Sequence, residues 1–269
     1  YPAASITGPR CELNCEHCGG RLLSPMHPAT TPEELLALGR RLAAAGMAGL
    51  LISGGSDPTG RLPWAPLIPA IAQLKAETDL VLTAHVGRID RATAQALKDA
   101  GVSQALYDVV GDPATAREIL HLPDGLAAQA ETLDACLAAG LEIVPHVIIG
   151  LHHGQMLGAY KALDIVADLV PLRVVFIVLM PLKHTGLAHT APPSPEAVAR
   201  FLAQARLRLP EPRHHLGCAR PRGRYRQELD ALAVAAGINV LAIPSDGALQ
   251  TAEQYSRPTS LTETCCSLA

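Results

Sequence analysis

The chain has 269 residues, 49% of them hydrophobic but only 3% aromatic, with a formal net charge of −3. That length fits two modest domains or one α/β barrel and suffices for a large core. The near-neutral charge argues against a general nucleic-acid surface, and no apolar run reaches the ~18 residues of a membrane span; the longest, around residues 174–182, is strand-like. The local basic cluster Arg220, Arg222, Arg224 and Arg226 reads as readily as a solvated or phosphate-binding loop as it does a nucleic-acid patch.

In chain order, "AASIT" at 3–7 reads as a strand. "TPEELLALGRRLAAAG" at 31–46 reads as a helix, with Thr31 as N-cap, Pro32 and acids in its first turn, and Gly46 closing it. A strand over 49–53 runs into Gly54 and Gly55. Helices are expected at 67–77, 91–100, 126–139, 160–169, 194–209 and 224–236. They alternate with strands at 79–87, 103–112, 141–150, 173–180, 214–218 and 239–243. Residues 246–269 read as a C-terminal tail that returns to the mouth of the fold. About eight such units, with continuous apolar strands, predict a parallel sheet under helices. In one chain of this length they predict a single (β/α)8 barrel over residues 1–269, closed or nearly so; an open doubly wound sheet is the alternative.

In a barrel the reactive groups lie at the C-terminal strand ends. Those ends carry Cys11 to Cys18, Ser53 to Asp57, His85, Asp108 to Asp112, His146 to His153, Met180 to Gly186, Cys218, and Pro244 with Ser245. Hydrophobic periodicity does not require that coincidence, and it points to an enzyme.

The seven cysteines are an odd number, three of them near one end, which argues against a secreted disulfide framework. No segment reads as a signal peptide, and a reducing cytoplasm with a metal or cluster is the expected setting. "CELNCEHC" spaces Cys11, Cys15 and Cys18 as C-x3-C-x2-C. A structural zinc site closes with four ligands, and His17 sits too close to Cys18 for easy shared geometry. A [4Fe–4S] cluster held by three thiolates keeps one iron open for chemistry. Spacing alone favours the cluster over zinc or coincidence.

Placed after the first strand of a barrel, this motif resembles that of the radical S-adenosylmethionine (radical SAM) enzymes. The resemblance implies that Cys11, Cys15 and Cys18 bind a [4Fe–4S] cluster whose fourth iron is chelated by S-adenosylmethionine. Reductive cleavage of that cofactor then gives a 5′-deoxyadenosyl radical that abstracts hydrogen. "SGGSD", with Ser53, Gly54, Gly55 and Ser56, resembles the segment that receives the methionine ammonium; Ser56 stands where Glu is common, with Asp57 next to it. "VIIGLHHGQ", containing Ile149, resembles the adenine-contacting segment, and "MPLKHTG", from Met180, the segment beside the nucleoside. His85, Asp108 and His146 are further candidate cofactor contacts, although each histidine is also a plausible structural residue and Asp112 a plausible helix cap. No catalytic side chain is assigned.

Cys136 shares an apolar stripe with Leu133 and Leu137 and reads as a buried hydrophobe. Cys218, with Cys265 and Cys266 of "TETCCSLA", would form a second, auxiliary cluster site if the tail returned; Ser267, an exogenous group or nothing would complete it. The full barrel resembles biotin synthase and the hydrogenase maturases, but strands three, four and six end without the auxiliary cysteines of biotin synthase, and the N-terminal second cysteine motif of single-chain lipoyl synthase is missing; "CELNCEHC", "YDVVGD", "GCARPRG" and "CCSL" together most resemble the two-subunit lipoyl synthases. That resemblance implies sulfur insertion into an octanoyl chain, a sister radical SAM subunit, an electron donor of ferredoxin or flavodoxin type, and an acyl-carrying protein or peptide substrate, with neither membrane nor nucleic acid as partner. A biotin synthase-like, maturase, methylation or rearrangement reaction, or a non-catalytic iron–sulfur subunit, is the alternative.

Overall fold

The computed structural model describes residues 1–269, and these form two compact units: Tyr1–Tyr107 with Ala116–Ile143, and Asp108–Thr115 with Val144–Ala269.

The first unit carries β1 (Ala3–Ser5), β2 (His27–Pro28), β3 (Gly49–Ser53), β4 (Val81–His85) and β5 (Gln104–Asp108, whose last residue begins the second unit). They pair in parallel in the order β2-β1-β3-β4-β5. Its helices are α1 (Pro32–Ala44), α2 (Ile68–Glu77) and α3 (Arg91–Asp99). The short α4 (Pro113–Glu118) leads on to α5 (Ala127–Ala138). The cap at Thr31 forms as its sequence dictates: Thr31 Oγ1 accepts from Glu34 N–H at 3.2 Å, and Glu34 accepts in return from Thr31 N–H at 3.3 Å. Leu50, Ile52, Leu82 and Ala84 of the strands are fully buried with Leu35, Ile71, Leu74 and Leu97 of the helices. This apolar layer is what fixes the strand register. Ser5 lies opposite Ser53, so the loops leaving β1 and β3 emerge side by side.

The second unit holds β6 (Glu142–Ile149), α6 (Ala159–Leu169), β7 (Arg173–Val178) and α7 (Pro195–Arg208). It continues with β8 (Arg213–Leu216), α8 (Arg224–Ala235), β9 (Val240–Leu241) and α9 (Asp246–Gln254). Its strands are parallel in the order β6-β7-β8-β9. Phe176 of β7 meets both His214 of β8 and Phe201 of α7 ring to ring, so this face of the strands meets the helices. Strand alternation therefore turns Arg173, Val175, Arg213 and His215 to the opposite face.

The parallel α/β class matches the sequence reading. Four features do not. Residues 246–254 form α9, packed on α8, where a tail was expected. The elements β2 and α4, and a 3-10 turn at Arg21–Leu23, were not anticipated. Leu137 is half exposed rather than part of a buried stripe, although Cys136 is buried. Finally, Arg220 is no surface charge: it is fully buried in a two-point ion pair with Asp230, at 2.7 and 2.9 Å. Arg224 pairs with Glu228, which leaves little of the basic patch. No helix is long and apolar enough to cross a membrane.

Candidate functional site

In the first unit the loop after β1 folds back on the loop after β3. Ile6 N–H donates to Ser53 O at 2.8 Å, Gly55 N–H to Thr7 Oγ1 at 2.7 Å, and Glu12 N–H to Ser56 O at 2.8 Å. Gly55 is required by this approach: a Cβ there would lie 2.0 Å from Arg10 O and 2.6 Å from Cys11 Cα. Gly55, the second glycine of the pair singled out in the sequence, is thus packed directly against the backbone of the cysteine loop.

Cys15 to Cys18 form one turn, with Cys18 and Gly19 N–H both donating to Cys15 O, at 3.1 and 2.8 Å. Spacing of three within such a turn brings both thiols to the same side. The ligand atoms of Cys15, His17 and Cys18 lie within 4.8 Å of one another, so His17 does share the geometry that its position in sequence argued against. The hydrogen bond from Cys15, with help from His17, pulls the Cys18 thiol down to about 4. The same bond and burial hold Cys15 strongly toward its protonated form, with Cys11 adding charge repulsion. Two mutually bonded thiols and a third within electrostatic reach are a soft donor set suited to iron–sulfur ligation.

Asp57 does not stand free in Ser56's stead. Its carboxylate accepts from Thr59 N–H (2.8 Å), Thr59 Oγ1 (2.7 Å) and Arg61 N–H (3.0 Å), closing its own loop. His85 ends β4 beside Leu106.

The sequence reading passed over residues 119–121, which grip the cysteine loop. Ile119 O accepts from Glu16 N–H at 2.8 Å, and Leu120 O from Cys15 Sγ at 3.5 Å. The His121 ring reaches Leu13 O at 2.7 Å through Nδ1 and Glu16 Oε1 at 3.1 Å through Nε2. More than a hundred residues separate these partners in sequence, and no local pattern announces them.

In the second unit, Asp108 ends β5 with one carboxylate oxygen buried and without a hydrogen-bond partner. Asp112 is a cap: it accepts from Thr115 N–H and Oγ1 at 2.7 and 2.8 Å, and Thr115 Oγ1 meets His152 Nδ1 at 3.2 Å. His146 lies within β6, buried, with Nδ1 bonded to Val144 O at 3.0 Å, as a structural histidine would be. Ile149 ends β6 fully buried, and its carbonyl is taken by Leu179 N–H at 2.9 Å, next to Met180.

Cys218 follows β8 by two residues, and the last residues of the chain come to it. Cys266 is hydrogen-bonded to both Cys218 and Cys265. The bond from Cys266 draws the Cys218 thiol down to about 6, while Cys266, bonded to both other thiols and half-buried, is pushed up strongly. Leu268 N–H closes the turn on Cys265 O at 2.9 Å. Two side chains on one face of β7 and β8 hold it: His215 through the Cys266 carbonyl, and Arg173 through Ser267 O at 3.2 Å. Ser267 is fully buried and its hydroxyl has no hydrogen-bond partner. Arg220 anchors the base of Cys218, donating to Gly217 O at 2.7 Å and Ile243 O at 3.2 Å besides its pair with Asp230.

Residues 5–156 match the family described as the Radical SAM superfamily. Over 252 residues the chain is 27% identical to a biotin synthase of Cyanothece sp., covering 89% of this chain and 66% of that protein. It is 26% identical to a biotin synthase of Gloeothece citriformis (89% and 68%) and to one of Citrifermentans bemidjiense (75% and 62%). The chain thus spans about two thirds of the length of the curated relatives it matches. Among solved structures it resembles methylornithine synthase (PylB), with a TM-score of 0.68 at 17% identity, over 91% of this chain and 73% of that one. It likewise resembles the FeFe-hydrogenase maturase HydG of Carboxydothermus hydrogenoformans, with a TM-score of 0.67 at 18% identity, over 89% and 57%. At such identities the structures speak to fold alone.

Proposed function

On the premise that this chain belongs to the radical SAM superfamily, whose enzymes use a [4Fe–4S] cluster and S-adenosylmethionine, we propose that it removes hydrogen from an unactivated carbon and forms a carbon–sulfur bond there. Sulfur insertion is favoured over rearrangement or methylation because the relatives carry the name biotin synthase. The octanoyl substrate and two-subunit lipoyl synthase type expected from the sequence find no such support among them, so the biotin synthase-like alternative is the better reading.

Cys11, Cys15 and Cys18 would hold the cluster, their chemistry and the Cys15–Cys18 contact fitting it. When bound, it supplies S-adenosylmethionine with the electron that releases a 5′-deoxyadenosyl radical. The chain's own residues have narrower tasks. The carbonyls of Ser53 and Ser56 already accept backbone N–H groups, which leaves those of Gly54 and Gly55 to receive an ammonium. Asp108, which ends β5 with one carboxylate oxygen unpartnered, is a further proposed contact of the cofactor, from its chemistry and its place at a strand end. His85 and Met180, at or just beyond strand ends, are further contacts in this reading, whereas His146 and the Ile149 carbonyl are engaged by the fold itself.

The observation that carries the sulfur-insertion reading is the gathering of Cys218, Cys265 and Cys266. They would hold a second cluster, with the buried Ser267 hydroxyl available as a further donor, and that cluster would supply sulfur. An electron donor of ferredoxin or flavodoxin type belongs to the same reading. The test is anaerobic reconstitution with iron and sulfide, then dithionite and S-adenosylmethionine. Formation of 5′-deoxyadenosine that fails in Cys15→Ala supports radical chemistry. Its absence from fully iron-loaded wild-type protein sinks it.

A further inference from the structure

The three-cysteine loop has little regular structure of its own. Asn14, directly before Cys15, has a left-handed backbone (φ 46°) that side-chain-bearing residues rarely adopt. His121 has one too (φ 58°). Strained positions of this kind persist where surrounding contacts impose them, and an observed outlier is a reason to look for a role. At His121 the contacts are specific. One imidazole bonds Leu13 O on one side of the Asn14–Cys15 pair and Glu16 Oε1 on the other. The ring thus bridges a backbone carbonyl and a side-chain carboxyl group with its two nitrogens. The two residues before it add the bonds from Glu16 N–H and Cys15 Sγ.

We propose that His121 is a positioning residue: a two-point clip that holds the Leu13 carbonyl before Cys15 and the Glu16 side chain after it, and so presents the central thiol of the loop in its ligating geometry. The proposal rests on the cluster reading above for its purpose, though the clip itself belongs to the metal-free chain. A loop that must order before it can ligate binds its metal more weakly, in proportion to the time it spends misplaced. His121 removes that loss in advance. It touches no reacting atom, and its role is to hold.

The test uses the full-length, metal-free chain. Its thiols are alkylated with iodoacetamide, and modification at each cysteine is followed by peptide mass spectrometry. Cys15 is buried and must open to react. His121→Ala removes both ring bonds, and Cys15 should then react about tenfold faster, with the buried Cys136 and the melting temperature unchanged. His121→Asn tolerates the left-handed backbone and keeps one N–H donor group, so it should fall between the two. After reconstitution, His121→Ala should lose iron to a chelator several-fold faster than the parent. An unchanged Cys15 rate in His121→Ala overturns the clip, as does a rise shared equally by Cys136. Should His121→Ala fail to fold, Glu16→Ala removes one anchor without touching residue 121, and its Cys15 rate must rise for the proposal to stand. If the parent takes up no iron at all, the cluster reading fails, and the alkylation result still judges the clip.

Discussion

The first thiol site draws Cys11, Cys15 and Cys18 from eight consecutive residues, flanked by the Ser53 to Ser56 segment on one side and on the other by residues 119–121, which grip it through two carbonyls and the His121 ring. The second takes Cys218 from the loop after β8 and Cys265 with Cys266 from the last turn of the chain, tied down by the long side chains of Arg173 and His215. The first is a local motif that the fold braces. The second exists only once the fold is complete. Damage should therefore reach them by different routes: steric change at the first, loss of buried charge or tethers at the second.

Four perturbations would break or sharpen that contrast, the largest first. Cys15→Ala should bring 5′-deoxyadenosine formation to background while leaving the second site's iron in place; loss of all iron would mean that the sites are not separable. Arg220→Met should destabilise the protein by about 3–5 kcal/mol in urea unfolding, because it strands the fully buried Asp230 carboxylate. It should empty the second site first, and Arg220→Met with Asp230→Leu should recover much of the stability. Gly55→Ala should cost about 1–3 kcal/mol, since its methyl would lie 2.0 Å from Arg10 O, and iron loss should be confined to the first site.

Acid comes last. Burial brings His214 from 6.5 down to about 4. Between those values the unfolded chain binds a proton that the folded one refuses. The part of the stability that depends on His214 should thus be full above about 6.5, fall as pH drops toward 4, and level off below, by up to about 3 kcal/mol, with His215, lowered by burial in the same way, adding to the slope. His214→Gln, which keeps a donor for Leu209 O, should flatten part of that slope; an unchanged slope would place the titration elsewhere.

What was legible in the sequence follows the same divide. Helices with strong caps, such as α1 and α3, and apolar strands such as β3 stand close to their expected bounds, because local chemistry decides them. The α9 helix was read as tail: its nine residues have a thin apolar stripe, and packing on α8 stabilises it. At the first site, cysteine spacing and the Gly-Gly pair were readable because each is a local steric or ligand demand. His121 was not, since its meaning lies in partners over a hundred residues away. Asp57 looked like a candidate acceptor by proximity, yet its own loop offered three donors. Arg220 looked like surface charge because charge patterning cannot reveal a partner ten residues on that is buried with it.

The central claim is that the chain carries two thiolate sites, one local and one assembled. Iron per chain, measured after anaerobic reconstitution together with the electron paramagnetic resonance spectrum of the reduced protein, tests it most directly. About eight irons are expected in the parent, and about four both in the Cys11/Cys15/Cys18→Ala variant and in the Cys218/Cys265/Cys266→Ala variant, each with its own signal. About four irons in the parent, unchanged by Cys218→Ala, would contradict it.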